Sequence, residues 1–265
     1  MQDAGKKLAT ILWVIIGISI ALHILFLVLS LIVFKDWQFE HEPAHAAIEA
    51  AGGVIALVVA LWISSLHKKG HGTTYNIWIA GALTAMGLLD GFHAISQVGN
   101  SFVWLHSSAT FVGGILFVLV WLPNSIHEKL PVSWQLLITA LVVPFGIWSL
   151  YSPEQTPLMV VGNSFTDKAR IMNLVGGVLM CAAGLRFILT WIKTKNTDDL
   201  LFCLHCILFG AAAIMFDKSA LWDISWWGWH TLRIMAYIVA FWFVFRSQEQ
   251  LIGKLAASEE NKAFR

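Results

Sequence analysis

The chain has 265 residues, 58% hydrophobic and 12% charged, with 14 Trp. So apolar a composition lies outside the soluble range and marks an integral membrane protein. The 17 Lys and Arg balance 16 Asp and Glu, which gives no basic patch and no reason to expect nucleic acid as a partner.

Runs long enough to cross a bilayer of roughly 30 Å cover about 9 to 34, 43 to 66, 75 to 96, 101 to 122, 132 to 151, 170 to 192, 199 to 217 and 228 to 246. The expected fold is all-α, a polytopic membrane bundle of about eight transmembrane helices. The first run has no small-residue cleavage site, so it is expected to stay as a helix and not to be a signal peptide. Cys181, Cys203 and Cys206 fall inside apolar runs and imply no disulfide framework.

Cytoplasmic loops are enriched in Lys and Arg. Lys6, Lys7, Lys68, Lys69, Lys129, Arg186, Lys193, Lys195, Arg246, Lys254, Lys262 and Arg265 lie at the termini and in or beside alternate loops, twelve of the seventeen basic residues. Both termini are therefore expected in the cytoplasm.

On this map five of the ten histidines share the outer layer. His41 and His45 open the second helix, His93 closes the third, His106 opens the fourth and His230 opens the eighth. Asp90 lies one turn before His93 on the same face, and Glu42, His45 and Glu49 share a face at i, i+3 and i+7. Pro43 suits the first helical position. Unpaired ionisable groups in a span cost several kcal/mol, so such a cluster is read as half of a ligand site. His23, His67, His71, His127 and His205 fall elsewhere and need no role.

Two short echoes accompany this layer. His45 and His106 are each followed seven residues later by a Gly pair, Gly52-Gly53 and Gly113-Gly114, and Arg-Ile-Met recurs at Arg170 and Arg233. Small residues let membrane helices approach closely, so the second and fourth helices are expected to touch there or to leave a slot.

The first chemistry this suggests is a divalent transition metal, zinc foremost, with iron or copper as alternatives. His45, His93 and His106 are the best ligands, and Glu49 or Asp90 would complete the shell. His41 and His230 are further ligands, or groups that orient the ligands. The second is b-type haem between two histidines, with the Gly pairs making room for the porphyrin and Arg170 or Arg233 meeting the propionates. Haem ranks lower because it needs two histidines and the layer supplies five with three acids. The third is a zinc-dependent membrane hydrolase with an open coordination position, for which Ser107 and Ser108 beside His106 are suitable. His41-Glu42-Pro43-Ala44-His45 has the letters of a zinc-protease HExxH motif, but Pro43 makes it a helix start. Cys203-Leu204-His205-Cys206 reads as buried small residues. Trp222, Trp226, Trp227 and Trp229 read as an aromatic belt dense enough around His230 to form a lid.

Past residue 246 the chain turns polar, with Leu251, Ile252 and Leu255 on one helical face. The expected division is a transmembrane domain over 1–246 and a cytoplasmic signalling helix or linker over 247–265. Its end, Ser258-Glu259 to Phe264-Arg265, resembles the segment with which PAS domains begin. His45-x3-Glu49, Asp90-Gly91-Phe92-His93 and Phe102-Val103-Trp104-Leu105-His106 in the eight-helix layout resemble membrane-associated sensor domains of the MASE type. The resemblance is best over the second to fourth helices. It implies a multi-pass sensor of the bacterial inner membrane feeding a PAS, histidine kinase or diguanylate cyclase output module, with enzymatic activity of this segment left open. By analogy with kinase-type sensors it implies a homodimer. It implies no particular ligand.

Overall fold

Inside a bilayer every backbone N–H and C=O must be satisfied within the segment, so long apolar runs become helices. The computed structural model describes residues 2–131 and 133–263, and eight of its helices are long and apolar enough to cross a membrane. They are α1 (Gln2–Val28, continued by a π-turn over Leu29–Val33), α2 (Glu42–Lys68), α3 (Asn76–Ala94), α4 (Asn100–Val118), α5 (Trp134–Tyr151), α6 (Asp167–Thr194), α7 (Thr197–Met215) and α8 (Ile224–Ala263). Among the described residues the only strand pairing is a hairpin of β1 (Val160–Val161) and β2 (Ser164–Phe165). Val132, the expected start of the fifth helix, and Phe264 and Arg265, which end the Ser-Glu…Phe-Arg segment, lie outside the described residues.

The expected spans match α2 to α7 within a few residues, whereas α8 begins four residues earlier than expected, at Ile224. The cause is Asp223, whose Oδ1 accepts from Trp226 N at 2.6 Å and whose Oδ2 accepts from Ala220 N at 2.9 Å. Burial pushes its carboxyl above the usual range, and these donors pull it back. A capping carboxylate satisfies N–H groups that a helix start leaves unpaired. At the other end α8 runs on unbroken to Ala263.

Six helices close a ring in the order α2, α3, α4, α6, α7, α8 and back to α2, with α5 against α3 and α1 against α7. Burial separates the inner helices from the outer ones: 78% of the α3 span and 83% of the α7 span are covered, against 18% for α1 and 22% for α5. α1 and α5 are therefore apolar on nearly all sides because their solvent is lipid.

The glycine pairs do bring helices together, but not α2 with α4. A Cβ on Gly53 would lie 2.8 Å from Gly87 O of α3, and one on Gly114 would lie 2.5 Å from Gly176 O of α6. Gly52 is covered by Tyr237 of α8, and Gly113 by Met86 and Met180. The expected slot is filled. Gly53→Ala must push two backbones apart, and we expect it to lower stability by about 1–3 kcal/mol, read as a reduced unfolding midpoint in detergent. An unchanged midpoint would show that the α2–α3 contact can relax.

Candidate metal centre

The first turn of α2 sets the geometry. Pro43 occupies a position where no N–H is needed, and the exposed His41 caps the helix by accepting Ala44 N at Nδ1, 3.0 Å away. With the start fixed, His45 and Glu49, four residues apart, both turn inward and are 2% exposed. The last turn of α3 contributes His93 and the second turn of α8 contributes His230, each 1% exposed.

Two of these rings are held by backbone carbonyls. His93 Nδ1 is 2.8 Å from Phe102 O, and His230 Nδ1 is 2.8 Å from Trp226 O. A carbonyl only accepts, so each Nδ1 carries the proton and each neutral ring presents a lone pair at Nε2. Those lone pairs converge. His45 Nε2 lies 3.0 Å from His230 Nε2 and 3.2 Å from His93 Nε2, and Glu49 Oε1 lies 3.3 Å from His230 Nε2.

Proton bookkeeping makes this arrangement informative. A proton on His45 Nε2 serves one neighbour well and leaves the other lone pair facing nitrogen. Glu49 Oε1 is buried without a hydrogen-bond partner, a costly condition for a carboxylate. A small cation bound to all four atoms removes both problems. Metal–ligand bonds of about 2.0–2.1 Å in a tetrahedron give edges of about 3.3–3.4 Å, close to the three short separations, 3.0, 3.2 and 3.3 Å. The four ligand atoms lie within 4.8 Å of one another, and no other such group of three or more occurs among the described residues.

No family model, curated protein or solved structure matches this chain. The chemistry of the centre therefore rests on its own side chains.

Beside the four lies Arg233, one turn along α8 from His230 and 3% exposed. Its Nη2 donates to Asp90 Oδ1 at 2.6 Å and lies 3.6 Å from Glu49 Oε2. Its Nη1 lies against the His106 ring, next to Nδ1 and 3.0 Å from Nε2, and donates to whichever of the two carries no hydrogen. Tyr237 OH donates to the second oxygen of Asp90, at 2.5 Å. This neighbouring layer ties α2, α3, α4 and α8 through one guanidinium.

Several expectations change accordingly. His106 and Asp90 are near the centre but not in the four-atom group, because Arg233 engages the ring of one and a carboxylate oxygen of the other. His41 faces solvent and serves as a helix cap. Arg170 is partly exposed and pairs with Asp167 at 3.8 Å, away from the centre. Arg233 uses both of its terminal nitrogens on Asp90, Glu49 and His106. A haem between two of these histidines needs Nε2 atoms roughly 4 Å apart on opposite faces of the ring, whereas His45 Nε2 lies 3.0 and 3.2 Å from its two neighbours and the glycine slots are filled. His230 rises from a secondary candidate to a full member of the group.

Tyr237 was not singled out from the sequence, although a signal existed. His230, Arg233 and Tyr237 stand at i, i+3 and i+7, the spacing of Glu42, His45 and Glu49. The tryptophans are also more than a belt. The Trp226 and Trp229 rings lie 3.9 and 3.7 Å from the His230 ring, and Trp226 lies 4.9 Å from His45. They roof the centre, while Trp227 stays at the edge and donates to Phe39 O at 2.9 Å. His205 is held by Ala236 O, His23 by Ser19 O, and the three cysteines are free.

Proposed function

We propose that this chain is the membrane-embedded input module of a sensor, and that it holds one divalent transition-metal ion, zinc before iron or copper, between His45, Glu49, His93 and His230. The observation that carries the metal is the convergence of three imidazole Nε2 atoms and an unpartnered buried carboxylate oxygen, with two of the ring tautomers set from outside the cluster. Three imidazoles and one carboxylate, with three of their separations near tetrahedral edge length, suit zinc. Four protein ligands also close the shell, which favours a structural or sensing ion over a hydrolytic one that must keep a position for water. Ser107, offered for a hydrolase, instead accepts from Asn173 Nδ2 at 2.9 Å.

The sensory part rests on α8 and on the resemblance to MASE-type domains. One helix of 40 residues, Ile224–Ala263, carries His230 and Arg233 near its start. An ion with unequal affinity for two packings of α8 against α2 and α3 biases that helix by the difference and no more. The Lys and Arg distribution supports cytoplasmic termini and a centre toward the opposite face of a bacterial inner membrane. The partners on this reading are the bilayer, a second copy of the chain and a PAS, kinase or cyclase output module.

Elemental analysis and an absorption spectrum of the purified chain test the reading. We expect about one zinc per chain and no visible band. A Soret band would replace the ion with haem, and protein that stays metal-free after incubation with zinc would overturn the metal centre.

A further inference from the structure

The centre is roofed by Trp226 and Trp229 and flanked by the Arg233 guanidinium, so a cation needs another way in. A cleft of about 310 Å³ lies at the N-terminal end of α2, between that helix, the segment after α3 and the first turn of α4. Of the four proposed ligands, His45 alone borders it. The remaining wall toward the centre is Phe102, whose ring lies 4.9 Å from the His45 ring and 4.1 Å from the His93 ring. Phe102 is 4% exposed, so beside His45, which the cleft reaches directly, one aromatic side chain stands between the cleft and His93.

The lining states what the cleft would admit. Glu42 stands exposed at its rim, Ser96 and Gln97 add neutral oxygen donors, and no Lys or Arg contributes to it. Carboxylate and neutral oxygens draw a hydrated cation and give an anion nothing to pair with. At about 30 Å³ per water, an ion with six waters takes roughly 200 Å³, which the cleft can hold before any water is shed. Deeper in, Arg233 repels a cation that overshoots the ligands.

We infer that this cleft is the cation-entry vestibule of the centre, with Glu42 as the capturing carboxylate and Phe102 as the gate. The inference rests on the metal reading above and adds the route and the side of loading: the ion arrives from the face that carries the N-terminus of α2. Glu42 is not one of the four ligands, and Phe102 holds His93 through its backbone carbonyl. Changing either side chain therefore removes no ligand atom and leaves the carbonyl that orients His93 in place.

Stopped-flow mixing of the full chain in detergent with zinc chloride separates the two ideas. Trp229 stacks on His230 and Trp226 packs against it at a tilt, so their fluorescence reports arrival of the ion, and EDTA chase reports its release. Glu42→Gln is expected to slow uptake about threefold with release unchanged. Phe102→Ala is expected to speed uptake and release together by about tenfold, leaving the equilibrium constant within about threefold. Phe102→Leu, which keeps an apolar side chain in the wall, reads the same gate with a smaller gain if the alanine variant does not fold. Zinc binding by the wild type with uptake and release unaltered in Glu42→Gln and Phe102→Leu overturns the vestibule and leaves the metal centre standing. A wild-type chain that binds no zinc overturns the metal centre itself, and the vestibule with it.

Discussion

Arg233→Gln is expected to destabilise the bundle by about 3–5 kcal/mol, measured as the fall in its unfolding midpoint in detergent. Arg233 faces two carboxylates, Asp90 at 0% exposure and Glu49 at 2%, with Nη2 lying 2.6 Å from Asp90 Oδ1 and 3.6 Å from Glu49 Oε2. Removing one partner of a buried ion pair costs more than the pair contributes, because the other charge stays desolvated. Glutamine cannot bridge Asp90, Glu49 and His106 together, and Tyr237 alone would remain on Asp90. The double variant Arg233→Gln with Asp90→Asn is expected to recover part of the loss, since it removes the stranded charge as well. Zinc should also soften the effect, because a cation at the four ligands compensates Glu49. A double variant no more stable than the single one would show that Asp90 and Arg233 are not energetically coupled.

The eight spans were legible in the sequence because hydropathy over some twenty residues is a local property that a bilayer reads directly. His45, Glu49, His93 and His230 were legible for a related reason: ionisable groups at the ends of apolar runs are expensive and draw attention to themselves. What periodicity cannot tell is which neighbour a helical face meets. Asp90 shares a face with His93, yet it meets Arg233 and Tyr237 while His93 meets His45. His106 sits as favourably as His93 on paper, but the guanidinium of α8 reaches it first. The Gly-Gly echo correctly marked close approaches, whereas the helices involved, α2 with α3 and α4 with α6, follow from the ring order and not from the echo. The early start of α8 was hidden in Asp223, a single capping carboxylate outside the apolar run.

His230→Ala is expected to lower zinc affinity by more than about 100-fold, since even groups that only support a ligand are worth 10- to 100-fold. His106→Ala, which loses a contact to Arg233 but no ligand, should fall within about tenfold of wild type. The pair distinguishes the four-residue centre from a set built on His106, and equal losses in both variants would place the ion differently. Binding should also weaken as pH falls, because a proton on any of the three imidazoles competes for the lone pair that the ion needs. His230 carries a second consequence, because it lies on the one helix that joins the centre to the polar extension. If the ion acts through α8, joining this chain to a histidine kinase makes zinc alter autophosphorylation, and His230→Ala abolishes that response without abolishing kinase activity. A kinase output still zinc-responsive in His230→Ala, or one indifferent to zinc while the wild-type centre is full, would mean that the ion holds the bundle together and that α8 does not carry its signal.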